Sequence, residues 1–229
     1  MTHTSTSENS LRRAYRVTIA LFLLAVVFVV IALSAVSQLV QTLASLNVIE
    51  RERDHWQRPT DILQALTLTQ GSVVIDLGCG SGYFALKLSP MVGISGRVLA
   101  VDLRRLSLFV LGIRATLRRD SNIVLIHAVP DNPHLKAGMA DAALVANTYH
   151  ELANPEAILN YVFLAVHPGG RLVVVDRGPR NASRESHELP LDVAAKEIRQ
   201  TGFDIVSQQD RFADGPGGEP WWLIIDRRP

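Results

Sequence analysis

The sequence predicts a doubly wound α/β domain carried behind one N-terminal transmembrane helix. Three observations carry that expectation: short β-branched runs alternate with helix-spaced segments, a glycine-rich turn follows the first run, and a long uncharged stretch lies near the N-terminus. Composition sets the outer bounds. Apolar residues make up 48% of 229 residues and the formal net charge is +1, which argues against disorder and against a protein built to coat nucleic acid. The single cysteine, Cys79, excludes an internal disulfide framework, and the histidines lack ligand spacing, so no metal is expected.

From Val17 to Ile49 no side chain is charged, and Val17 to Val36 is almost wholly apolar. About twenty helical residues span a bilayer's hydrocarbon core, so residues 17–36 are expected to cross a membrane behind an N-terminal tail of residues 1–16. Residues 37–58 read as an amphipathic linker helix, with Leu39, Val40, Leu43 and Leu46 at helical spacing among Gln38, Gln41 and Ser45. A cleaved signal peptide is the rival, with Arg12 and Arg13 before the run and Ala35-Val36-Ser37 as its cleavage site; a buried central helix is a third reading. Charge does not orient the helix, because Arg12, Arg13 and Arg16 on one side balance Arg51, Arg53 and Arg58 on the other.

Residues 59–229 form the expected catalytic domain. Ser72 to Leu77 (SVVIDL) reads as a buried parallel strand, Gly78 to Gly82 as a turn, and Tyr83 to Met91 as a helix. Arg97 to Leu103 is a second strand, Leu106 to Arg118 a helix, Asn122 to Ala128 a third strand and Asp141 to Asn147 a fourth. A helix from Pro155 to Val166 precedes a Pro168-Gly169-Gly170 turn and a fifth strand, Arg171 to Asp176. A helix from Leu191 to Thr201 ends at Gly202, a favourable C-cap. Phe203 to Gln208 and Trp221 to Asp226 close the domain as two strands, and the short glycine-rich loop between them suits an antiparallel pair.

The strongest chemical signal is Asp76-Leu77-Gly78-Cys79-Gly80-Ser81-Gly82 at the end of the first strand. Glycines let the backbone turn tightly and let a ligand approach with no Cβ in the way. A phosphate-cradling loop needs a following Lys-Ser/Thr pair, which is absent. A nicotinamide-binding turn prefers a different third-glycine spacing and gains nothing from a carboxylate beside its pyrophosphate. Asp76 makes sense beside a cation, and the ammonium and sulfonium of S-adenosyl-L-methionine supply one. Asp102, at the end of the second strand, is placed to accept from ribose hydroxyls, with Leu103 beside it. The plain alternative is a tight βα turn with no ligand.

Val73 to Gly82 (VVIDLGCGSG) resembles motif I of class I S-adenosylmethionine-dependent methyltransferases, and Val98 to Leu103 resembles their acidic second-strand motif. Ala165 to Asp176 (AVHPGGRLVVVD) is similar to their LKPGGRL block, and Asp54 to Pro59 (DHWQRP) resembles the (D/E)xWQxP start of one bacterial subgroup. The resemblance covers about Asp54 to Asp226 and implies a Rossmann-like seven-stranded sheet with its last strand antiparallel. It also implies that Asp76, Gly78, Cys79, Gly80 and Gly82 line the methionine moiety, with Asp102 and Leu103 at the nucleoside and Asn147 beside the site. In place of the family's acidic residue after the third strand stands His127-Ala128-Val129-Pro130, with Asp131 or backbone alone left to hold adenine.

Asn147-Thr148-Tyr149-His150-Glu151 follows the fourth strand, at the carboxyl edge where open α/β sheets bind ligands. His150 is a candidate general base for an oxygen or nitrogen acceptor, and Tyr149 a candidate catalytic or pocket-shaping ring. The plain reading of both is a helix start. Trp56 and Gln57 are candidates to cap the cofactor, with simple packing the plain alternative for Trp56. The expected partners are a small-molecule or lipid methyl acceptor and a membrane; nucleic acid is not among them, and the oligomeric state is not legible. Because S-adenosylmethionine is cytosolic, the expected location is a single-pass membrane protein with its catalytic domain in the cytoplasm. A membrane-tethered binding domain without turnover is the alternative from another class.

Overall fold

The structure, a computed structural model, describes residues 4–178 and 189–229. Met1 to His3 of the expected tail lie outside the described residues, as does the side chain of Arg12. The chain divides into two compact units, Met1–Glu52 and Arg53–Pro229.

The first unit is the greater part of one uninterrupted helix, α1 (Thr4–Trp56). Its most apolar 18-residue window has a mean hydropathy of 3.2 and none of it is buried, so the helix is long and apolar enough to cross a bilayer. A helix this close to the N-terminus has the composition of a signal sequence as well.

The second unit is a seven-stranded sheet in the order β3-β2-β1-β4-β5-β7-β6. Its strands are β1 (Val73–Leu77), β2 (Arg97–Asp102), β3 (Ile123–His127), β4 (Ala140–Ala146), β5 (Val166–Arg177), β6 (Asp204–Asp214) and β7 (Pro220–Arg227). The first five run parallel, and β7 lies antiparallel between β5 and β6, as the final hairpin predicts. The strand order reverses between β1 and β4, which places the crevice for a ligand beside the glycine turn.

Helices α2 (Pro59–Ala65), α3 (Ala85–Val92), α4 (Arg105–Arg118), α5 (Pro155–Ala165) and α6 (Leu191–Gln200) cover the sheet. Alternation along the strands sorts two cores. Val74, Ala146, Val175 and Trp221 face Ile62, Leu86 and Leu111 on one side; Ile75, Val145, Val174 and Trp222 face Leu159 and Ile198 on the other.

Two elements differ from expectation. Helix α2 is too short to show periodicity, but Pro59 opens it and the Arg58 guanidinium anchors it, pairing with Asp61 at 2.7 Å and donating to the Phe212 carbonyl at 2.8 Å. The Pro168-Gly169-Gly170 segment is no separate turn but lies inside β5, because the chain after β7 pairs with it. Gly169 N–H donates to the Arg228 carbonyl at 2.7 Å and Arg228 N–H to the Gly170 carbonyl at 3.0 Å. Only the left-handed φ of Gly169, +81°, lets the strand absorb this irregularity.

Asp226 on β7 is fully buried with no partner for either oxygen, and burial pushes its carboxyl up to about 8. The folded protein therefore keeps a proton that the unfolded chain releases near pH 4. Stability is fully present below about pH 4 and declines as pH rises toward 8, by a few kcal/mol in all. Asp226→Asn removes this titration: the gap between melting temperatures at pH 5 and pH 8 is expected to narrow in the variant, with the remainder coming from Asp76, whose buried carboxyl shifts the same way.

Candidate functional site

The glycine turn is held from two sides. Gly78 and Cys79 N–H both donate to the Val101 carbonyl, at 2.8 and 3.1 Å, which ties the turn to the end of β2. Asp102 braces it further: Oδ2 accepts from Gly80 N–H at 2.8 Å and Oδ1 from Arg104 N–H at 2.7 Å. Each oxygen keeps capacity for a second donor, which a ribose hydroxyl suits. All three glycines have positive φ, +74° at Gly78, +53° at Gly80 and +99° at Gly82. A Cβ at Gly78 would strike the Thr148 side chain and one at Gly82 would strike Leu111, whereas one at Gly80 would meet nothing within 4 Å. Gly78 and Gly82 are thus needed for packing, and Gly80 leaves a cradle open to a ligand.

The turn continues into Tyr83, which is fixed by the segment before α2. Tyr83 OH donates to Asp54 Oδ1 at 2.7 Å, Lys87 Nζ reaches the same oxygen at 2.7 Å, and the Arg53 guanidinium stacks 4.0 Å from the Tyr83 ring centroid. Burial opposes the Asp54 charge, but Lys87 and Tyr83 outweigh it and hold the carboxyl below its usual range. In the same segment Trp56 packs on Trp221 with ring centroids 5.0 Å apart. Gln57 is fully buried and accepts from Arg53 Nε at 2.9 Å. The segment from Arg53 to Gln57 thus packs on the glycine turn through Tyr83 and on β7 through Trp221.

Asp76 is buried at the carboxyl end of β1. Burial pushes its carboxyl up to about 7, against the opposing pull of the Ala85 backbone N–H at the start of α3. Its Oδ2 has no partner. Across the strand pair, Asn147 follows β4 with φ +55°, and its buried Oδ1 is likewise unpartnered. Two orphaned acceptors in the crevice call for a ligand that donates hydrogen bonds or carries positive charge. The ammonium of S-adenosylmethionine meets that demand, so the residues present fit this cofactor. Cys79 beside them is a buried thiol whose ionisation is pushed far up by burial, then by Asp76 and Asp102, so it is chemically inert. Leu103 is exposed past the end of β2, and its carbonyl accepts from His127 Nε2–H at 3.1 Å. Asp131 is exposed on the following loop.

The tripeptide after β4 divides its labour. Tyr149 is buried in the core on the α5–α6 side, edge-on to Trp222, and its hydroxyl donates to Glu197 Oε2 at 2.8 Å. Burial and that carboxylate push its ionisation far up, so it stays a neutral packing and bonding group. His150 is nearly buried, with Nδ1 2.8 Å from Asp176 Oδ1 and Nε2 2.9 Å from Arg177 Nη2. A carboxylate only accepts and a guanidinium only donates, so His150 is neutral with its proton on Nδ1. Asp176 is itself fully buried and also accepts from the His150 and Arg177 backbone N–H groups.

Sequence reasoning did not single out Asp176 and Arg177 as site residues, although their position at the carboxyl end of β5 is a signal of its own. Arg177 Nε is buried and unpartnered. Its register partner across the sheet is Trp221, whose buried Nε1 lacks a partner, as does the buried Nε2 of Gln57. By alternation, Asp76, Arg177 and Trp221 belong to the same face of the sheet. Among the described residues, the unpartnered atoms at the carboxyl edge of the parallel strands are sorted: acceptors end β1 and β4, while donors end β5, begin β7 and precede α2. The acceptors of Asp120 and Asp226 that lack hydrogen bonds lie away from that edge.

This fold, with its glycine turn and paired strand-end acids, defines the class as S-adenosylmethionine-dependent methyltransferases of class I. The ubiE/COQ5 methyltransferase family model matches residues 33–189, and the chain belongs to that family. A demethylmenaquinone methyltransferase of Geobacillus sp. (strain WCH70) is 23% identical over 131 residues, 57% of this chain; the chain spans 56% of that relative's length. One from Oceanobacillus iheyensis is 20% identical over 76% of this chain and 75% of its own length. Among solved structures, a SAM-dependent methyltransferase from Aquifex aeolicus has the same fold, with a TM-score of 0.66 at 19% identity over 75% of this chain and 89% of that one.

Proposed function

We propose that this protein transfers the methyl group of S-adenosylmethionine to a small molecule dissolved in the membrane that presents a hydrogen-bond-accepting oxygen, such as a quinol. The observation that carries the reading is the sorting of the unpartnered atoms at the carboxyl edge of the sheet, among the described residues: acceptors at Asp76 and Asn147, donors at Arg177, Trp221 and Gln57. When bound, S-adenosylmethionine supplies an electrophilic methyl on a sulfonium.

Asp76 and Asn147 hold the cationic end, Asp102 the ribose, and Gly80 gives the ligand room. Arg177 and Trp221 then hold the acceptor oxygen, and the guanidinium favours its ionised form if it is a phenol. His150 acts as a positioning residue: with both ring nitrogens engaged, it fixes Arg177 against Asp176. Tyr149 supports the same turn from within the core. The relatives named demethylmenaquinone methyltransferases lend the acceptor class further support.

The membrane reading rests on α1. Residues 17–36 span the bilayer, residues 37–58 lead away from it, and the domain from residue 59 works in the cytoplasm, where the cofactor is made. Extraction of membranes from expressing cells with alkaline carbonate tests it: the full-length chain is expected to stay with the pellet. A shortened chain in the soluble fraction would favour a cleaved leader.

A further inference from the structure

Helix α4 is apolar on two opposite faces, and the domain covers only one of them. Leu108, Leu111 and Ala115 are buried against the sheet. Leu106, Phe109 and Leu117, on the opposite side by helical spacing, are 74%, 63% and 70% exposed. An amphipathic helix has a polar outer face, so a second apolar stripe marks a surface with another partner.

The stripe does not stand alone. Edge strand β3, which among the described residues pairs with β2 alone, exposes Leu125 on the side of the sheet that α4 covers, and Val129 is exposed just beyond. An open groove of about 600 Å³ lies between α4 and β3, lined by Gly112, Ala115, Ile123 and Leu125, with Arg119 at one end. Exposed arginines flank the stripe at both ends, Arg104 and Arg105 before it and Arg118 and Arg119 after it. Glu151 pairs with Arg104 and Asp120 with Arg118, which leaves the flanks net positive.

We propose that the α4–β3 face docks on the surface of an anionic bilayer, with Leu106, Phe109 and Leu117 in the headgroup–acyl boundary and the arginines on lipid phosphates. Apolar residues bordered by arginine match this surface in both components of its chemistry. The inference rests on the reading that α1 tethers the chain, which keeps the domain within reach of a leaflet. Its consequence is substrate access. Leu103 directly follows Asp102 and Leu106 lies in the first turn of α4 just beyond, so docking brings the mouth of the site to the place where a membrane-dissolved acceptor emerges.

The test uses the full chain in nanodiscs, carrying Leu106→Cys labelled with an environment-sensitive fluorophore; the native Cys79 is buried. With phosphatidylglycerol in the disc, the label is expected to shift to the blue and to be quenched by lipids brominated high on their acyl chains. Arg105→Glu with Arg119→Glu should reverse most of both effects, as should high salt. Emission identical to that in purely phosphatidylcholine discs would overturn the docking while a carbonate-resistant chain preserved the tether. Loss of the chain on carbonate extraction would overturn both. Efficient cysteine cross-linking between two chains through position 106 would also overturn it, assigning the face to a second copy.

Discussion

Asp76→Asn is expected to weaken S-adenosylmethionine binding at least about a hundredfold while leaving the protein folded. The buried carboxylate has an unpartnered oxygen, and the pull of the Arg53 guanidinium does not offset its burial, so the ligand's cation is its missing partner. Deleting one member of a buried charge pair typically costs several kcal/mol, which is a hundredfold or more. Calorimetry on the full-length chain in detergent reads the effect directly. The pH dependence gives a second signature. With the free carboxyl pushed up to about 7, binding a cation below that pH must expel a proton, so affinity falls as pH falls, by up to about tenfold per unit. Above about 7 the parent's dependence on this group flattens, and the Asn variant shows no such slope anywhere. Stability moves the other way. A neutral amide in a desolvated site is expected to melt at or above the parent at pH 8, which separates lost binding from lost folding.

Arg177→Leu is expected to lower turnover about a hundredfold or more with cofactor affinity unchanged. A preorganised donor aimed at developing or resident negative charge contributes on that scale. His150 tells positioning from acid–base work. If it holds Arg177, His150→Gln, which keeps an acceptor for the guanidinium, retains much more activity than His150→Ala, and kcat keeps the same pH profile. A base at Nε2 would instead lose its acidic limb in both variants. Steady-state kinetics across pH, with the cofactor dissociation constant measured beside them, reads both results.

The sheet was legible because its strands are short β-branched runs broken by glycine, and buried parallel strands need such runs. The closing antiparallel pair was legible from the short glycine-rich loop before Trp221, although Ala213 and Asp214, expected in that loop, extend β6 and pair with Trp221 and Pro220. Asp76 stood out because a carboxylate before a glycine turn is chemically specific. What stayed hidden depends on distance along the chain. His150 meets Asp176 and Arg177 across 26 and 27 residues, and no local pattern announces that contact. Gln57 was legible only as a possible cap on the cofactor and Trp221 only as part of the last strand, since only the fold shows that their N–H groups lack partners. Tyr149 was read beside His150 as one functional unit, yet the turn that follows β4 sends its ring into the core. Helix α2 was missed because its 7 residues are too few to show a helical period.

The most direct test of the central claim is transfer of a labelled methyl group. The full-length chain in nanodiscs, given S-adenosylmethionine labelled in its methyl and a membrane lipid extract under reducing conditions, is expected to place label in an organic-extractable small molecule. Asp76→Asn and Arg177→Leu should each abolish the signal. Tight cofactor binding with no label in any extractable or soluble molecule would contradict the account and leave a membrane-tethered binding domain in its place.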